Sequence, residues 1–156
     1  MKQLLHRVAS LFAPWFHGQR AQNGGRVRKA LILGKRAGVG ADEPPGWRLV
    51  SADTLDEAQS VLAREEIPIV FCEAGASGLD WRRTVRLLAA APCHPSVILL
   101  SPASRRPLWN EVTAVGGYDV LHEPLSADAL DHVIRSATSH WRSRRALELE
   151  RTPGGS

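Results

Sequence analysis

A chain of 156 residues with 20 Lys and Arg against 16 Asp and Glu, net charge +4, has the size of one globular domain plus tails. Its 44% apolar content is ordinary for a folded chain, and no apolar run approaches the ~18 residues that a membrane-spanning helix needs. Cys72 and Cys93 match no metal spacing and read as reduced thiols, which argues against a disulfide scaffold and for a cytoplasmic protein.

Residues 1–26 read as an amphipathic helix and a linker. In "MKQLLHRVASLFAPWFHGQR", Leu4, Leu5, Val8, Leu11, Phe12 and Trp15 recur near helical spacing, with Lys2, His6 and Arg7 elsewhere. A signal peptide would have a longer apolar centre and no Pro14 before an aromatic pair. The helix could dock on a partner, fold back on its own domain, or lie on a membrane surface through residues 1–20. "GQRAQNGG" follows as linker.

Residues 27–139 alternate short apolar runs with helical patterns. "RKALILG" predicts a buried strand over 28–34. "KRAGVGADEPPG", with three glycines and two prolines, predicts a loop in place of a full helix. "WRLVSA" is the second strand. Thr54 and Glu57 have capping-box spacing and open a helix that turns Leu55, Ala58, Val61 and Leu62 inward. "IPIVFCE" is the third strand. In "LDWRRTVRLLAAA", Trp81, Thr84, Val85 and Leu88 share one helical face, and Arg82, Arg83 and Arg86 the other. "PSVILLS" is the fourth strand, and a short helix after it stops at Gly116-Gly117. "YDVLHEP" is the fifth strand. Ser126 caps a last helix whose inner stripe is Leu130, Val133, Ile134, Ala137 and Trp141. Residues 140–156 extend that helix and end in a tail, with Trp141, Leu147 and Leu149 set to protrude.

Strands joined through helices imply βα units, and runs apolar on both sides imply a parallel sheet covered on both faces. The expected fold is α/β: a five-stranded doubly wound parallel sheet with its first crossover helix shortened or replaced by a loop. Ligands of such sheets sit at the carboxyl ends of the strands. Here those tips carry Gly34 and Lys35, Glu73, Ser101, and Glu123 before Pro124.

The order of these elements resembles the receiver domain of two-component response regulators, over about residues 28–139. "IPIVFCEAGASGLD" is similar to the strand and loop that carry the phospho-accepting aspartate. "PSVILLSPAS" is similar to the strand ending in a Thr or Ser followed by Ala. "AVGGYDVLHEPLSADAL" is similar to the Lys-Pro segment leading into the last helix.

The resemblance implies a site that this chain has altered. Gly34 and Lys35 stand where a pair of acids would hold Mg²⁺, Glu73 where the aspartate would accept phosphate, and Glu123 where a lysine would contact the phosphoryl group. Ser101 keeps the hydroxyl, and Val120 replaces the aromatic switch, with Tyr118 two residues earlier. Phosphoryl transfer depends on positioning and charge neutralisation, and Mg²⁺ takes hard oxygen ligands. A cation in the metal position and an anion in the lysine position oppose both. The expectation is a non-enzymatic pseudo-receiver with no cofactor and no metal. Lys35 could bridge Glu73 and Glu123 in a charge-swapped cluster, or Glu73 could mimic the phosphorylated state by holding Ser101.

The resemblance also implies a partner-binding face on the fourth strand, the helix after it, the fifth strand and the last helix. Arg105, Arg106, Tyr118, Arg135, Trp141 and Arg142 mark it, and its charge would favour an acidic protein partner. A homodimer through the last helix is a second expectation. No effector domain follows, so direct transcriptional control would need a partner. A receiver still phosphorylated on Glu73 or Asp80 is one alternative. A basic nucleic-acid-binding module is another, placed lower because such arginines more often form a solvated surface. The six histidines show no metal spacing, Ser101 lacks a nucleophile elbow, and "GKRAGVG" lacks the ending of a phosphate-binding Walker loop.

Overall fold

The computed structural model describes residues 28–34, 47–75, 78, 80–101, 109–122 and 127–151. Strands β1 (Arg28–Leu33), β2 (Trp47–Ala52), β3 (Ile69–Glu73), β4 (Ser96–Ser101) and β5 (Asp119–His122) form one sheet in the order β2-β1-β3-β4-β5, with every adjacent pair parallel. Helix α1 (Leu55–Arg64) follows β2, α2 (Trp81–Ala89) follows β3, α3 (Trp109–Ala114) follows β4, and α4 (Ala127–Arg151) follows β5. This is the expected doubly wound architecture. The loop expected over residues 35–46, the helix expected before residue 27, the Ser126 cap and the tail past Arg151 lie outside the described residues.

Right-handed crossovers decide which face each connection covers. Three connections step in one direction across the sheet, so α1, α2 and α3 share a face. There Leu31, Leu33, Val70, Cys72, Val97 and Leu99 pack with Leu62, Val85, Leu88 and Val112. On the opposite face α4 sets Val133, Ile134 and Ala137 on Ile69, Phe71, Ile98, Leu100 and Leu121. Phe71, Ile69 and Leu99 are fully enclosed, and each such side chain contributes about 1.5–3 kcal/mol through lost water contact.

Local chemistry sets the helix ends. Thr54 Oγ1 accepts from the Glu57 amide at 3.2 Å, and Glu57 Oε2 accepts from the Asp53 amide at 2.9 Å. Of the four residues expected to turn inward on α1, Ala58 and Leu62 are buried, while Leu55 and Val61 are half-buried. On α2 all four expected inner residues, Trp81, Thr84, Val85 and Leu88, are buried. Gly116 has φ +95° and lets the chain turn back from α3.

The last helix runs unbroken for 25 residues. Contacts among the described residues tie it down. The Ser96 hydroxyl donates to the Ala137 carbonyl at 3.4 Å, Trp141 Nε1 donates to the Cys93 carbonyl at 3.0 Å, Arg145 pairs with Glu66, and the Tyr118 and Ser136 hydroxyls share a hydrogen bond. Trp141, read both as the end of the inner stripe and as protruding, is half-buried and anchored, as the inner-stripe reading expects. Leu147 and Leu149 do protrude, at 53% and 74% exposure.

Gly117 tests this packing. A Cβ added there would lie 2.5 Å from Val112 Cγ1 and 3.0 Å from the Val112 carbonyl oxygen, which accepts the Gly117 amide. Gly117→Ala is expected to cost about 1–3 kcal/mol in urea unfolding, because the clash falls on a buried side chain and on backbone.

Candidate functional site

The parallel register gathers the strand tips into one edge. Leu33 pairs with Cys72, so the next step along each strand brings Gly34 level with Glu73. Glu73 pairs with Leu100, and Ser101 with His122. The Gly34 amide donates to the Ala52 carbonyl, and the Ala74 amide to the Leu100 carbonyl, both at 3.0 Å, which extends the ladder past the strand ends. Gly34 is buried, Glu73 is 5% exposed and Ser101 is 1% exposed. Strand alternation places Gly34 and Glu73 with the α4 face, and Ser101 and His122 with the opposite face. The edge thus carries a carboxylate on one face and a hydroxyl and an imidazole on the other.

Burial governs the chemistry of this edge. A carboxylate taken out of water is expensive unless something compensates it. Its neighbour Cys72 is fully enclosed, and its thiol donates to the Glu73 carbonyl at 3.6 Å. Burial, and then the adjacent Glu73 charge, push the Cys72 thiol up to about 12. His122 Nδ1 is also buried, with no hydrogen-bond partner among the described residues. Among those residues no group of three His, Cys, Asp or Glu side chains could hold a metal ion.

The other predicted residues divide into two sets. Lys35, Glu123 and Pro124 lie outside the described residues, as do Arg105 and Arg106, so the charge-swapped cluster falls there too. Asp80 precedes α2, where its carbonyl accepts from the Thr84 amide at 3.1 Å and its exposed carboxylate lies 3.7 Å from Arg82. Tyr118 is half-buried against the core, with its ring 5.3 Å from that of His140. Arg135 and Arg142 are exposed on α4. At the amino end of β1, burial and then the charge of Arg142 lower the pKa of Arg28.

Sequence reading missed a second surface feature. Arg82 stacks 4.5 Å over the Trp81 ring and reaches Glu111 on α3 at 3.8 Å. Trp109, at the start of α3, is 60% exposed. Only the Trp81–Arg82 adjacency was visible beforehand. The Glu111 partner lies on another element, and no local pattern announces it.

No protein-family model matches this sequence, and no curated protein matches it. Solved structures do. NtrX from Brucella abortus in complex with ATP aligns with a TM-score of 0.65 at 16% identity, over 82% of this chain and 30% of that one. A response regulator from Thermotoga maritima aligns with a TM-score of 0.57 at 21% identity, over 72% of this chain and 98% of that one. The beryllofluoride-activated NtrC4 receiver domain dimer gives a TM-score of 0.57 at 16% identity, over 73% and 98%. The chain spans under a third of the NtrX chain and nearly all of the other two. Its fold is that of response-regulator receiver domains.

The enclosed thiol has a measurable consequence. Its folded pKa, about 12, lies above the ordinary 9.0, so this group's contribution to stability is present below pH 9 and is lost as pH rises toward 12. Native protein at pH 8 is expected to leave Cys72 unalkylated by iodoacetamide, with modification appearing only once urea unfolds the chain. Peptide mass mapping checks it.

Proposed function

We propose that this chain is a non-enzymatic, receiver-fold signalling module that presents a surface to a protein partner and takes up no phosphoryl group by the Mg²⁺-dependent route. One observation carries the reading: at the tip of β3 the buried carboxylate belongs to a glutamate, and Gly34, level with it on β1, has no side chain to offer a metal. The sequence adds Lys35 next to Gly34 and Glu123 after β5. A lysine beside the metal position contributes charge of the wrong sign, and a glutamate in place of the phosphate-contacting lysine repels the incoming group. Glu73 also carries its carboxylate one methylene further from the backbone than aspartate would. The fold's shape and the Ser101 hydroxyl remain, while the metal-holding, phosphate-accepting and phosphate-contacting positions are all altered.

With the chemistry gone, what remains to act is surface. The outer side of α4 carries exposed Arg135 and Arg142, which favours an acidic protein as partner and speeds its approach at low salt. The NtrC4 receiver domain is a dimer in its beryllofluoride-activated form. By that likeness a second copy of this chain, meeting the protruding Leu147 and Leu149, is a further partner that α4 could take.

Incubation with acetyl phosphate and Mg²⁺, read by intact mass, tests the central claim. An unchanged mass is expected. Gain of one phosphoryl group would refute the proposal, and its loss in Glu73→Gln or Asp80→Asn would identify the acceptor.

A further inference from the structure

The α4 face of the sheet is buried further than its described helix accounts for. Ala30 is 1% exposed, Ile32 2% and Leu49 6%. All three belong to the hydrophobic cluster on the α4 side, yet α4 packs on β3, β4 and β5. Its carboxyl half is tied instead to the segments before β4 and β3, by Trp141 to the Cys93 carbonyl and by Arg145 to Glu66. The described helix that packs on β1 and β2 is α1, and it lies on the other face. Leu49 sits on the edge strand, and its sheet neighbour Ala30 is too small to shield it. A leucine placed there without a covering element would stand largely in water.

Topology says what belongs in that place. The β1-to-β2 connection steps across the sheet in the direction opposite to the others, so a right-handed crossover helix would lie on the α4 face, over β1 and β2. Residues 35–46 hold three glycines, two prolines and no large apolar residue but Val39, too little to build that helix.

We propose that residues 2–16 of this same chain dock on the outer face of β1 and β2 and take the place of the missing crossover helix. Leu4, Leu5, Val8, Leu11 and Phe12 fall on one helical face, with Gln3, His6 and Ser10 opposite. A helix over residues 2–13, up to Pro14, is about 18 Å long, close to the ~20 Å of a six-residue strand. The direction fits as well. A crossover helix runs antiparallel to the strands, and a helix placed before β1 in that direction ends at the amino edge, where the linker enters Arg28. An apolar face committed in this way is withdrawn from lipid and from other proteins.

Hydrogen exchange on the full chain tests the docking. In Val8→Asp with Phe12→Asp, amides of residues 28–33 and 47–52 are expected to exchange at least about tenfold faster, while those of β4 hold. Gln3→Asp with Ser10→Asp, on the opposite side of the helix, should change neither. Unaltered exchange in β1 and β2 of the first variant would overturn the proposal. So would a wild-type dimer that becomes monomeric in that variant, which assigns the segment to a second copy. Wild-type binding to phosphatidylcholine–phosphatidylglycerol vesicles that the variant loses would overturn it in favour of lipid. Should the aspartates unfold the whole sheet, Val8→Ala with Phe12→Ala supplies the same comparison.

Discussion

The structure depends on the parallel pairing of β1, β3 and β4 at the centre of the sheet. Their hydrogen bonds cannot form in register unless residues 69–73 lie between residues 30–33 and 96–100. Once they do, both faces of the three strands are apolar and must be covered. That requirement places α1, α2 and α3 on one side and α4 on the other. It also brings Gly34, Glu73, Ser101 and His122, which are far apart in sequence, to one edge.

At this edge the groups that hold the fold differ from the side chains that the strand tips carry. Backbone hydrogen bonds and aliphatic packing hold the crevice in shape, and neither depends on what the tip side chains are. The tips can therefore change sign without costing the architecture. A buried carboxylate at the end of β3 still has a price, since it must be compensated in a place water barely enters. The same burial holds the neighbouring Cys72 thiol protonated at neutral pH.

The last helix ties the β3–β5 half of the sheet to the segments before β3 and β4. Its core residues lie on β3, β4 and β5, while Trp141 reaches back to the loop before β4 and Arg145 to Glu66 before β3. These contacts anchor the helix as far as Arg145 and leave Arg135 and Arg142 exposed on it. A rigid basic surface loses less conformational entropy on association than a frayed tail would.

Much of this was legible in the residues. Thr54 with Glu57 announced the start of α1, the 81-84-85-88 spacing its neighbour's buried face, and the glycine pair the end of α3, because caps and periodicities act within a few residues. The βα alternation implied the doubly wound sheet, and the tip residues could be named in advance. What the sequence could not announce were partners brought together from a distance. Trp141 reads as an interaction residue until it meets the Cys93 carbonyl 48 positions away, and Arg82 reads as solvated until Glu111 arrives from another helix. How deeply Glu73 is buried was equally hidden. The chain by itself determined which segments become strands and helices and which chemistry their tips carry, since those follow from local order. Only the tertiary structure decided who touches whom and what is shut away from water, since burial is a property of all the neighbours at once.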